Sequence, residues 1–223
     1  MTRIGNTLRK RYDEGCIAAH ALDILGDRWA LLVVRELLLG PKRFGAVRAG
    51  LPGISANILT LRLAELEAGG VLIRRALPSP ALVQVYELTD LGRWVRPVIE
   101  ALCRWGAGLP GHDPRLFISP TALMLSMASM IDRNAAQGMK AASSFVLGNE
   151  RFDTVLCDGA LVIDRVEVSG GDLVFAGSAN DMAAAVYGPH PLAQSVGERR
   201  ISFSGDPRLG QDFVDLFSLE GKG

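Results

Sequence analysis

The sequence predicts two domains: a mainly helical one that ends in a β-hairpin, then an α+β one with an antiparallel sheet and helices. Three observations carry this. At 223 residues the chain is long for one small unit and comfortable for two. Helical apolar spacing dominates the first 70 residues or so, and short strand-like runs punctuated by glycine follow later. A Gly- and Pro-rich stretch, 106–114, separates the two patterns and divides the charge. Residues 1–112 hold 15 Lys+Arg against 10 Asp+Glu (+5), and residues 113–223 hold 9 against 14 (−5), which sum to the net charge of zero. Such opposition suits halves with different partners, and it also suits a basic solvated face. The expected domains are 1–110 and 111–223.

Composition excludes several classes. Hydrophobic residues make up 48% and charged residues 22%, so the chain has material for a core and is not generally disordered. The longest apolar run, Ala30–Val34, falls far short of the roughly 20 residues of a membrane span. Met1–Arg11 is basic but lacks the apolar stretch of a secretory signal, so a cytoplasmic protein without a membrane partner is expected. The widely spaced Cys16, Cys103 and Cys157 suit neither a disulfide framework nor a CxxC metal site. No cofactor or metal is expected.

Apolar residues recur at helical spacing from Cys16 to Leu25 and from Trp29 to Leu39, with Gly26-Asp27 as the turn. Gly40-Pro41 closes the second helix. Arg43–Ala49 forms a short third helix before Gly50-Leu51-Pro52-Gly53 breaks the chain. Ser55 caps a longer helix, Ala56–Glu67, that ends at Gly69-Gly70. On a helical wheel Leu59, Leu63 and Leu66 share one face, and Asn57, Thr60, Leu61 and Ala64 cover the other.

A short helix, a tight turn and a second helix with small polar residues near its start form a helix-turn-helix, which fits a major groove of double-stranded DNA. Asn57 can pair bidentately with adenine, and Thr60 can bond a base or touch a thymine methyl. The strand-like Val71–Ala76 and Val83–Glu87 then make a hairpin wing across Leu77–Leu82, with Arg74 and Arg75 placed to meet phosphate or a minor groove.

Together, Cys16, the run 21–29 (ALDILGDRW), Arg35-Glu36-Leu37, Gly40-Pro41-Lys42-Arg43-Phe44 and Leu51-Pro52-Gly53-Ile54-Ser55 strongly resemble the HxlR family. Leu63-Ala64-Glu65-Leu66-Glu67, the run 86–92 (YELTDLG) and Trp105-Gly106 extend the likeness over residues 12–108. The resemblance implies a winged-helix regulator of bacterial genes that works as a homodimer built largely on its first and last helices. It places Lys42, Arg43 and Ser55 beside Asn57, Thr60 and Leu61 in the expected DNA face, and Leu61 departs from the family's usual polar residue. Arg62 flanks that face, with a phosphate contact and an ion pair to Glu65 or Glu36 equally open. The helix capped by Thr89 or Asp90 carries Leu91, Val95, Val98, Ile99 and Leu102, more apolar surface than one small domain buries, so a partner subunit or the second domain covers the excess. Cys16 is open to a redox-sensing role or a structural one.

In the second half, Ser119-Pro120 starts a helix that runs to about Asn134. Leu123, Met124, Met127 and Met130 lie on or near one stripe, which fits a core and also an adaptable apolar pocket for a small molecule. Ser143–Leu147, Thr154–Cys157, Ala160–Val168 and Asp172–Ala176 read as antiparallel strands punctuated by Gly148-Asn149, Asp158-Gly159 and Gly170-Gly171. A helix Asn180–Val186, a strand near Arg200–Ser204 and a helix Leu209–Phe217 follow. The stretches Ser178-Ala179-Asn180-Asp181-Met182 to Gly188, Leu192-Ala193-Gln194-Ser195 and 200–206 (RISFSGD) resemble the sterol carrier protein type 2 domain over about 140–220. That resemblance implies an apolar cavity for a lipid-like molecule. His112 and His190 sit beside proline without a nucleophile nearby, and Asp153, Asp158 and Asp164 lack calcium-loop spacing, so no catalytic set is expected.

Overall fold

A computed structural model describes residues 11–77 and 83–219. The chain divides into two compact units, one from Met1–Leu37 with Lys42–Arg93 and one from Leu38–Pro41 with Trp94–Gly223. The division falls at Arg93/Trp94, ahead of the Gly/Pro-rich stretch at 106–114, because the helix before that stretch packs within the second unit.

The first unit runs α1 (Ile17–Leu25), α2 (Ala30–Leu37), α3 (Phe44–Ala49), α4 (Ala56–Ala68), β1 (Leu72–Ala76), β2 (Gln84–Leu88) and α5 (Asp90–Arg93). Val33, Val34 and Leu37 of α2, Val47 of α3 and Leu59, Leu63 and Leu66 of α4 meet in its core, with Leu51 buried from the turn. The heptad-like leucine spacing of α4 thus puts one stripe inside and leaves the other to solvent. β1 and β2 pair antiparallel from Leu72↔Leu88 to Ala76↔Gln84. Residues 78–82 of the expected wing turn lie outside the described residues.

The second unit contains α6 (Arg96–Ala107), α7 (Pro120–Met130), β3 (Ala141–Leu147), β4 (Glu150–Cys157), β5 (Ala160–Val166), β6 (Leu173–Gly177), α8 (Ala179–Tyr187), α9 (Leu192–Gly197), β7 (Ile201–Ser204) and α10 (Pro207–Val214). Its sheet has the order β5-β4-β3-β6-β7. The expected all-antiparallel sheet needs correction: β6 pairs parallel to β3, Ser143↔Leu173 to Leu147↔Gly177, so the sheet is mixed. Gly170-Gly171 is therefore part of a crossover from one edge to the far side of β3, not a hairpin turn. Gly171 donates its N–H to Ser144 Oγ at 2.8 Å, and a Cβ on it would stand 2.7 Å from the Ser143 backbone, so the crossover needs a residue without a side chain.

Stacked Phe145 and Phe175, 5.0 Å apart, with Phe213 5.9 Å from Phe175, fill the core of this unit together with Leu123, Met124 and Met127 of α7. The helix α7 stops at Met130, short of the expected Asn134, because Ile131 turns extended and bridges Phe217. The six-residue α9 was not anticipated from the sequence. Among the described residues no helix is long and apolar enough to cross a membrane, and no cluster of His, Cys, Asp or Glu could hold a metal.

Candidate nucleic-acid interface

Local chemistry builds the helix-turn-helix. Ser55 caps α4 by accepting the Ile58 N–H at 3.2 Å, which satisfies one of the free amides at the helix start. The turn between α3 and α4 is closed by backbone bonds from Leu51 N–H to Arg48 and from Ile54 N–H to Leu51. Beneath it, Glu36 is fully buried and Gly50 lies against its carboxylate, where any Cβ would overlap the oxygens. Glycine at this position lets the turn sit directly on α2.

Asn57, Thr60, Leu61 and Ala64 are exposed along α4, opposite its buried leucines. Thr60 donates its hydroxyl to the Ala56 carbonyl at 2.9 Å, so toward a base it offers a lone pair and a methyl rather than a donor. Leu61 is 43% exposed, an apolar contact surface suited to a thymine methyl. Arg43 is exposed at the N-cap of α3, and Arg48 is exposed in its last turn. On the wing, Arg74 and Arg75 are both exposed, but Arg75 is ion-paired to Glu87 across the hairpin.

Two expected members of the interface are engaged in ion pairs within the unit. Lys42 is 3% exposed, with its ammonium 3.1 Å from Glu36 Oε2, while Arg35 holds Oε1 of the same carboxylate at 2.8 Å. Arg62 is ion-paired to Asp27 and, at 2.5 Å, to Glu65, so of the two alternatives open in the sequence the internal pair is the one formed. Asp27 as its partner, 35 positions away in sequence, carried no sequence signal. Cys16 is exposed as the N-cap of α1.

The stripe Leu123, Met124 and Met127 is fully buried in the second unit's core, and Met130 is half-buried at the end of α7. None of the four lines the large cavity of that unit. Apolar side chains stand exposed on α6 and just before it, Trp94 at 74% and Trp105 at 66%, with Val98 and Leu102 about half exposed. α6 packs against α7 and has Ile99 buried, while Trp94, Val98, Leu102 and Trp105 stay open.

Comparison with known proteins gives this geometry a context. Residues 24–112 match the HxlR-like helix-turn-helix family. The uncharacterized HTH-type transcriptional regulator YvaP of Bacillus subtilis (strain 168) is 40% identical over 85 residues, 38% of this chain and 79% of YvaP. The uncharacterized HTH-type transcriptional regulator YdeP of the same organism is 39% identical over 93 residues, 42% of this chain and 73% of YdeP. Among solved structures, the reduced form of the transcriptional regulator YodB from B. subtilis is 31% identical, with a TM-score of 0.40, covering 45% of this chain and 100% of that one. These relatives are regulators rather than enzymes. The family match runs through α6 and ends at residue 112, so the role of the rest of the second unit has to come from its own residues.

Proposed function

This chain belongs to the HxlR-like helix-turn-helix family, and on that premise we propose that it is a sequence-specific, homodimeric DNA-binding transcription regulator whose second unit responds to a small apolar molecule. The observation that carries the DNA reading is the exposed face of α4, where Asn57, Thr60 and Leu61 stand free of the core while Leu59, Leu63 and Leu66 hold the helix down. Asn57 reads a base edge, Leu61 and the Thr60 methyl meet thymine methyls, and Arg43 and Arg74 position the helix on phosphate. Arg75 is a lesser contributor, since it must leave Glu87 to reach the DNA.

The dimer reading is supported by Trp94, Val98, Leu102 and Trp105, an apolar set too extensive for a solvated helix, and by Ile17 and Leu22, exposed on α1. Modulation by a ligand requires that the ligand bind the DNA-competent and incompetent states with different affinity.

A gel shift on the chain's own upstream DNA tests the reading. Asn57→Ala should weaken binding by about 5- to 150-fold, the discrimination of one bidentate base contact of about 1–3 kcal/mol. Arg74→Ala should weaken specific and nonspecific DNA alike. Unchanged binding by both variants would remove α4 and the wing as the interface.

A further inference from the structure

The second unit holds a cavity of about 830 Å³, within the range of roughly 300–1,000 Å³ typical of small-molecule sites. It lies outside the sheet-and-helix core, which the phenylalanines and methionines fill. Its walls are the strap 111–118, α8, and the turn Gly188-Pro189-His190 that leads into α9. Asn180 of α8 anchors the strap: its Nδ2 donates to the Leu116 carbonyl at 2.7 Å, and its Oδ1 accepts the Ile118 N–H at 3.3 Å. These two bonds bracket Phe117 and hold Leu116, 68% exposed, and Phe117, 53% exposed, as an apolar wall over space that no side chain of the described residues fills. Between Asp181 and Tyr187, α8 contributes the methyl groups of Ala183 and Ala184, and those short side chains leave the volume open.

The polar groups in the wall define what fits. Tyr187 and Ser126 both line the cavity, and their hydroxyl oxygens are 2.8 Å apart. Burial pushes the Tyr187 phenol well above its ordinary range, and the Ser126 hydrogen bond offsets part of this, so the phenol stays protonated. Two hydroxyls that share one hydrogen bond have one O–H left to donate. Both guanidinium groups of the wall are paired with a carboxylate. Asp113 binds Arg115 through both oxygens, at 2.8 and 2.9 Å, and Glu198 binds Arg200 at 2.8 Å and the Gln194 amide at 2.8 Å. Asp181 takes the Ser178 hydroxyl. Among the described residues three carboxylates thus face two guanidinium groups, both already engaged, and two imidazoles, His112 acting on Asp113 and His190 on Glu198, so an anionic headgroup meets an excess of carboxylate whose cationic partners are taken.

We propose that this cavity is a binding site for an uncharged, mostly apolar small molecule whose hydrogen-bond acceptor is met by the Tyr187–Ser126 hydroxyl pair. The proposal rests on the reading of the second unit as ligand-responsive, and it moves the site from the α7 methionines to the outer face of α8.

The test uses the full chain and two naphthalene probes. Prodan is uncharged and carries a ketone acceptor; 1-anilinonaphthalene-8-sulfonate is anionic. Fluorescence titration should show saturable prodan binding at about one per chain, and the sulfonate should bind about tenfold or more weakly. Ala184→Trp fills the cavity from an exposed position of α8, and Leu116→Glu, on the exposed strap, places a charge in its wall. Each should weaken prodan by about tenfold or more, with the far-UV circular dichroism unchanged. Tyr187→Phe should shift the emission of bound prodan to the blue as its ketone loses a donor. Absence of saturable prodan binding overturns the site, equal or tighter sulfonate binding overturns the ligand class, and wild-type affinity in both cavity variants overturns the location. A gel shift with and without prodan separates the regulatory reading: saturable binding with no change in DNA affinity sinks modulation and leaves the site standing.

Discussion

Lys42→Met separates a structural lysine from a DNA-contacting one. In the wild type, Glu36 is fully buried and shares its charge between Arg35, 2.8 Å from Oε1, and Lys42, 3.1 Å from Oε2. Removing one partner of a buried ion pair costs about 3–5 kcal/mol, because the other charge is left in a low-dielectric site. Here Arg35 remains on the carboxylate and methionine replaces much of the lysine stem, which places the loss near the bottom of that range, about 3 kcal/mol. For a unit of this size each kcal/mol lowers the melting temperature by about 4–8 °C, so the first unit should melt about 12–24 °C earlier. Thermal unfolding by far-UV circular dichroism measures this. A companion titration of DNA affinity against salt, run well below the melt, should keep the wild-type slope, since Lys42 reaches no phosphate. A melt within a few degrees of wild type, together with a slope shallower by about 0.9 per lost contact, would refute the buried assignment and return Lys42 to the interface.

Four substitutions probe the other parts of the molecule. Gly171→Ala forces a Cβ to within 2.7 Å of the Ser143 backbone and should destabilise the second unit by about 1–3 kcal/mol, seen as a lower urea midpoint with an unchanged m-value. Met127→Ala, fully buried in the same core, should cost about 2–5 kcal/mol by the same assay. Leu102→Glu, exposed on α6, should shift the sedimentation of the chain from dimer to monomer while leaving its circular dichroism intact. Tyr187 has a raised folded-state pKa, so above the unfolded value of about 10 the unfolded chain releases its proton first and wild-type stability falls, by at most about 1.4 kcal/mol per pH unit. Tyr187→Phe should be less stable than wild type at neutral pH for want of the Ser126 bond, and the gap should close between about pH 10 and 12; a gap that stays constant would place the phenol in water.

Helix α4 was legible because its signals are local. Ser55 precedes it, Gly69-Gly70 follows it, and Leu59, Leu63 and Leu66 fall on one face by spacing alone. Partners set by tertiary contact were not legible. Lys42 carries the same local signature as the exposed Arg43 beside it, and only the position of Glu36 under Gly50 separates the buried cation from the exposed one. The direction of β6 was hidden for a similar reason. A Gly-Gly pair supplies a backbone that can turn tightly or pass close over a neighbouring strand, and both uses leave the same two letters in the sequence. The methionine stripe of α7 shows periodicity, which marks a buried face without saying whether other side chains or a ligand cover it. An apolar cavity in the second unit was legible only as what the sterol-carrier resemblance implies, and its place beneath the strap was not, because small residues on α8 look like ordinary helix formers.

Charge pairing in the first unit sets a limit on how strongly DNA binding can depend on salt. Arg35 and Lys42 are held by Glu36, Arg62 by Asp27 and Glu65, Arg75 by Glu87 and Arg93 by Asp90. Near α4, Arg43 and Arg48 on α3 and Arg74 on the wing are exposed and make no ion pair among the described residues. If these three reach phosphate in each protomer of a dimer, six contacts give a slope of log affinity against log salt of about −5. Opening Arg62 and Arg75 as well would bring the count to ten and the slope to about −9. The two cases respond differently to substitution. With the pairs closed, Arg74→Ala should flatten the slope by about 1.8 per dimer while Arg75→Ala leaves it alone. Equal flattening by the two variants would show that the Glu87 pair breaks on DNA, and the wing would then act as a pair of basic side chains rather than a single one.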